Sequence, residues 1–149
     1  MATPLTEIYS MFLNKVKDYS FLRLNESGDL ENLLNDYLRG AIVRFSNCTK
    51  ELTINTTDGI IVATEDNREQ NLNIYELEIL STTMVLIYST NKITSVENME
   101  MVLTKAEYYT YSQANHIVAL LDLKKELQRD VSHLMNIYSL RYNRGIFNA

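Results

Sequence analysis

The residues able to do chemistry are few, and their spacing argues against a catalytic centre. His116 and His133 lie seventeen positions apart, and neither stands in a metal-binding pattern such as His-Glu-x-x-His. Cys48 is the only cysteine, so no intramolecular disulfide and no cysteine-rich zinc site can form. Glu76 and Glu78 are two apart in a helical stretch and point to different faces, so they do not form an acid–base pair. Glu65, Asp66 and Glu69 fall in a polar stretch where solvation is the default, with a hard-cation site as the remote alternative. The glycines Gly28, Gly40, Gly59 and Gly145 are scattered, which leaves no phosphate-cradling loop, and no Gly-x-Ser-x-Gly elbow occurs. Ten tyrosines, among them Tyr108, Tyr109, Tyr111 and Tyr138, suit an interface or the rim of a core, because tyrosine joins apolar area to a polar tip. The expectation is a non-enzymatic chain with no cofactor and no metal.

The elements that would carry these residues read as mainly helical. One Pro and four Gly in 149 residues favour long helices, and a chain of this length fits one domain, 1–149, with a real core. The dominant stretch is 112–142, where Ile117, Leu120, Leu123, Leu127, Val131, Leu134 and Tyr138 recur at steps of three and four. Asp122, Lys125, Glu126, Arg129 and His133 occupy its other face. Thr3 and Pro4 read as cap and first residue of a helix over about 4–19, and a break at 20–27 tucks Phe21, Leu22 and Leu24 against the core. A second helix is expected over about 29–46, with Gly40 inside it for close packing or as a hinge. Residues 47–72 change character: Leu52 and Ile54 alternate with polar residues, Asp58 and Gly59 mark a turn, and 60–64 is β-branched. A short β-hairpin insertion followed by a polar loop is therefore expected. Asn73 and Glu76 form a capping arrangement with Leu72 and Leu77 as staple, opening a helix over 73–92 that should be the most buried element. Further capping matches at Thr94 with Glu97, and Thr104 with Glu107, bracket a short separate piece.

Charge is uneven. The whole chain carries −5, while 112–144 holds five Lys/Arg against three Asp/Glu and the remainder is acidic. An acidic body disfavours tight nucleic-acid binding, which needs a basic footprint to displace counterions. The N-terminus lacks the basic start and apolar core of a signal peptide, and the longest apolar runs are far too short for a bilayer, so no membrane role is expected.

The segment 95–141, with SVENMEM followed by YTYSQANHIVALLDLKKELQRDVSHLMNIYSLRY, resembles the C-terminal half of head–tail connector, or neck adaptor, proteins of tailed bacteriophages. The most distinctive piece is SQANH at 112–116, opening the long helix after an aromatic segment; the resemblance covers about a third of the chain. It implies a structural virion protein of the neck, assembled in the host cytoplasm. Such proteins form a ring, commonly of twelve copies, that docks under the portal, extends the channel for DNA without reading its sequence, and offers a platform to a stopper or tail-side neck protein. No active site carries over. The resemblance implies a docking tail after the long helix, about 143–149. Arg141, Tyr142, Arg144, Ile146 and Phe147 are then the portal dock, and two apolar residues at a terminus call for cover. Glu51, Asp58, Glu65 and Asp66 are candidates for the channel lumen, where acidic groups would repel the duplex. The competing reading is a small cytosolic protein–protein interaction module that regulates a partner without catalysis.

Overall fold

The structure, a computed structural model, describes residues 2–16, 28–103 and 110–142. Its elements run β1 (Thr3–Pro4), α1 (Leu5–Val16), α2 (Leu30–Arg44), β2 (Glu51–Asn55), β3 (Ile60–Glu65), β4 (Arg68–Gln70), α3 (Ile74–Leu103) and α4 (Thr110–Tyr142). The protein is mainly helical, with a small antiparallel sheet whose strands β2, β3 and β4 lie between α2 and α3 and whose β1 comes from the start of the chain.

α3 is the hub. Asn73 and Glu76 close a reciprocal capping box: the Glu76 N–H donates to Asn73 Oδ1 and the Asn73 N–H to Glu76 Oε1, both at 2.9 Å. Leu72 and Leu77, at the staple positions, are both buried in the core. From there Ile79, Leu80, Met84 and Leu86 are buried, and Ser81, Thr82, Thr83 and Ser89 are buried beside them. The small hydroxyl residues keep α3 slim, and Thr83 returns its hydroxyl to the Ile79 carbonyl at 2.6 Å, so burial leaves no polar group orphaned there. α1, α2 and α4 all pack on α3. At one junction Phe12, Tyr37 and Tyr88 meet edge to face or tilted, with ring centroids 5.8–6.4 Å apart. At Gly40 a Cβ would lie 2.8 Å from Ile87 Cδ1, so its role is close approach of α2 to α3.

Several sequence expectations are corrected. Thr3 and Pro4 do not start a helix: they pair with Ile61 and Ile60 as an edge strand, and α1 begins at Leu5, whose N–H donates to the Gly59 carbonyl at 2.9 Å. Proline fits an edge as well as it fits a first helical turn, and only the presence of β3 decides between them. The hairpin is one part of a sheet in which β3 pairs with β2 on one side and with β1 and β4 on the other. The stretch expected as a polar loop folds back as β4 through a two-residue turn, with Asp66 at φ 52° and Asn67 at φ 62°. Those positive values are the geometry of a tight hairpin turn, which Asp and Asn tolerate best after Gly. Finally, no new helix opens at Thr94: α3 continues unbroken to Leu103, because the residues of that match lie inside a favourable helical run with no Gly or Pro to stop it. The match at Thr104, the break at 20–27, residues 17–19 of the first expected helix and the tail 143–149 lie outside the described residues.

α4 begins at Thr110 and ends at Tyr142, and its apolar stripe is unequally used. Val131 and Tyr138 are buried, Leu120, Leu127 and Leu134 half-buried, and Leu123 is 46% exposed. The helix is held closely toward its C-terminal end, while 118–123 is only shallowly covered by the described residues. Asp122, Lys125, Glu126, Arg129 and His133 are exposed, as the periodicity predicts.

Candidate functional site at the end of the long helix

The C-terminal end of α4 is fastened to the body by a polar clasp. After α2, Phe45 donates its N–H to Ala41 and Ile42 carbonyls and accepts from Cys48 N–H, which turns the chain sharply and presents 47–50 to α4. Asn47 Nδ2 donates to the Met135 carbonyl at 2.8 Å and to Ser139 Oγ. Thr49 N–H donates to Tyr138 Oη at 3.2 Å, and Thr49 Oγ1 lies 2.8 Å from the same oxygen. Tyr138 in turn donates to Glu76 Oε2 at 2.9 Å, so the Thr49 hydroxyl supplies the proton of its own contact.

Glu76 is the centre of this arrangement and has no exposed surface. Its Oε1 accepts from the Asn73 N–H and, at 2.7 Å, from Lys50 Nζ, whose side chain is 7% exposed. Lys50 Nζ also donates to the Asn71 carbonyl at 3.2 Å. A buried ion pair is tolerable only when its other donors and acceptors find partners; both Glu76 oxygens are used, and Lys50 also reaches the Asn71 carbonyl. The position in the first turn of α3 adds the favourable end of the helix dipole.

Cys48 Sγ stands 3.7 Å from Glu76 Oε2 and 4.0 Å from Tyr138 Oη. Burial pushes the Cys48 thiol above its ordinary value, and the neighbouring carboxylate adds to that. Burial likewise raises the Tyr138 phenol, with the Glu76 hydrogen bond acting in the same direction. A nucleophilic cysteine needs a positive neighbourhood that favours thiolate. The surroundings of the cluster favour the protonated thiol and phenol. What it does is fix one helix end.

Of the five expected docking residues, Arg141 and Tyr142 are described and both are exposed; Arg144, Ile146 and Phe147 lie outside the described residues. Tyr142 packs on Tyr138 with centroids 4.7 Å apart and meets Tyr75 at 6.4 Å. Arg141 lies over the Tyr75 ring at 4.8 Å and donates to its hydroxyl at 3.1 Å. Phe45 closes the far side of Tyr138 edge-on at 5.1 Å. The end of α4 is thus an aromatic stack seated on the start of α3.

The four lumen candidates separate. In the sheet register Glu51 and Glu69 both face Thr64, and Glu65 with Asp66 lies at the same end. Asp58 sits at the opposite end, in the turn between β2 and β3, held by Asn55 at 2.9 Å. The sheet brings three of the four together and not the fourth.

Sequence reasoning missed the clasp. Glu76 was legible as a cap, yet nothing in the chain announces that a lysine twenty-six positions earlier and a tyrosine sixty-two later share its carboxylate. A groove between α1, α3 and α4, of about 490 Å³, also went unseen; Val85, Leu123, Leu127 and Leu134 line it beside the 2.7 Å Lys15–Glu78 ion pair. Among the described residues there is no cluster of three metal-ligating side chains, and no helix long and apolar enough to cross a membrane. Comparison with protein-family models, curated proteins and solved structures returned no match.

Proposed function

We propose that this protein is a structural component of a tailed-phage neck, a ring-forming head–tail connector that docks under a portal through the end of α4 and the residues after it. The observation that carries the reading is the clasp. It fastens the last turns of α4 to the body, with Arg141 and Tyr142 exposed at the end of the helix. A docking tail gains affinity when it departs from a fixed base, because less freedom is lost on binding. The resemblance of 95–141 to neck adaptors, with copies of itself, a portal and a stopper or tail-side protein as partners, supports the same reading. The acidic end of the sheet is compatible with a DNA passage that does not grip phosphates.

The test is mass photometry and negative-stain imaging of the full chain mixed with the portal ring. Several copies should add to each portal, and deletion of 142–149 should abolish addition while leaving the fold intact by circular dichroism. A chain that ignores the portal at every concentration would sink the reading. The groove beside Lys15 and Glu78 favours a second reading, an interaction module that receives a partner's apolar segment. In that case the chain would bind a host protein and leave the portal unaltered.

A further inference from the structure

Among the described residues the sheet ends on one side in β2, with no strand beyond it. β2 is paired along all five residues with β3, and on its other side no strand of the described residues is paired with it. The opposite side of β3 is shared by two short strands, one carrying Pro4 and the other following a tight turn. Exposed sheet edges are normally blunted by proline, a bulge or an outward lysine, since free N–H and C=O groups invite another strand. β2 contains no proline, its register with β3 shows no bulge, and the adjacent Lys50 is turned inward onto Glu76. The apolar face is unfinished on this side too. Ile61 and Ala63 on β3 have no exposed surface, whereas Ile54 and Leu52, directly opposite them, are only half-buried.

The geometry points to a second copy of this chain as the occupant, its β2 pairing antiparallel with the first across a two-fold axis at Thr53. In that register Thr53 faces Thr53 of the partner subunit, Leu52 faces the partner's Ile54, and Glu51 faces the partner's Asn55. Each pairing is favourable: threonine against threonine on the outer face, apolar against apolar on the core face, and a carboxylate against an amide. The alternatives are worse. A shift by one residue places Leu52 and Ile54 on the wrong face, and larger shifts shorten the ladder or bring Glu51 onto its own copy. A parallel pairing in register also sets Glu51 beside Glu51 of the partner subunit. The two joined sheets would cover Leu52 and Ile54 and satisfy the free backbone groups. This inference concerns the free chain and does not rest on the neck reading.

The test uses the central position, where each substitution meets itself. Thr53 is exposed and points away from the core, so Thr53→Lys and Thr53→Glu should fold, as circular dichroism would verify. Sedimentation of the wild-type full chain, without portal, should show a concentration-dependent dimer. Each variant alone should associate at least about tenfold more weakly, because like charges sit directly opposite. An equimolar mixture of the two should recover a one-to-one heterodimer by native mass spectrometry. The inference is overturned by a wild-type chain that stays monomeric at roughly millimolar concentration, where even weak pairing would register. Variants that dimerise like wild type, or a mixture that fails to recombine, would overturn it equally. So would a monomer whose 51–55 amides gain exchange protection only when portal is added, since the edge would then belong to another protein.

Discussion

Glu76 carries a charge with no exposed surface, and it survives there because every oxygen lone pair that matters is used. Removing it should cost far more than a surface ion pair, since Lys50 would be left buried and Tyr138 without its acceptor. Glu76→Ala is expected to lose about 3–5 kcal/mol in urea unfolding. The paired change Lys50→Met with Glu76→Gln should cost less than either single change, because it removes both charges; the amide oxygen still accepts from Asn73, while the amide nitrogen donates to the Tyr138 hydroxyl, whose proton then turns to Thr49 Oγ1. Tyr138→Phe keeps the ring packing against Phe45 and Tyr142 and deletes only the hydroxyl, for roughly 1.5–3 kcal/mol. Alkali probes the same cluster. Cys48 and Tyr138 both hold their protons more tightly in the folded chain than their ordinary values of 9.0 and 10.0. Above those values the unfolded chain releases protons that the folded chain retains, so stability is whole below pH 9.0 and declines as pH rises past it. In Tyr138→Phe the decline above pH 10.0 should be shallower, as thermal melts across the alkaline range would report.

At the level of elements, α3 and α2 meet at one glycine. Gly40→Ala gains about 1 kcal/mol of helix propensity, but its methyl would press 2.8 Å from Ile87 Cδ1, the end of a half-buried side chain that must turn aside to admit it. The single change should therefore be close to neutral or mildly destabilising. In an Ile87→Val background, where that methyl is gone, the same substitution should stabilise by roughly 1 kcal/mol. A double-mutant cycle measured by chemical denaturation separates the two effects, and an uncoupled result would mean that α2 and α3 adjust their distance freely. Much at this level was readable from the chain. The Asn73–Glu76 box and the long final helix follow from local spacing, and local spacing is what a helix obeys. The sheet was read only in part. Thr3 and Pro4 as a strand, and 68–70 as its companion, depend on partners distant in sequence, and a strand has no local hydrogen bonds to announce it.

Across the whole molecule, stability should be graded along α4. Tyr138, Asn47 and Thr49 tie down its C-terminal half, while Val118, Leu121 and Leu123 remain exposed. Amide exchange is expected to be slower over 131–138 than over 118–127, and Tyr138→Phe should narrow the difference. Equal protection throughout would mean that the clasp does not set the order of opening. The amino-acid sequence by itself determined a mainly helical protein, the Asn73–Glu76 cap and the apolar face of the long final helix. These rest on residues within a few positions of one another. The tertiary structure alone decided that Glu76, Lys50, Cys48 and Tyr138 share one buried network, that three of the four acidic lumen candidates stand at one end of the sheet, and that among the described residues β2 is paired on one side only. Each of those facts joins residues far apart in the chain, and their meeting is fixed by how α2, the sheet and α4 close on α3, which no local pattern encodes.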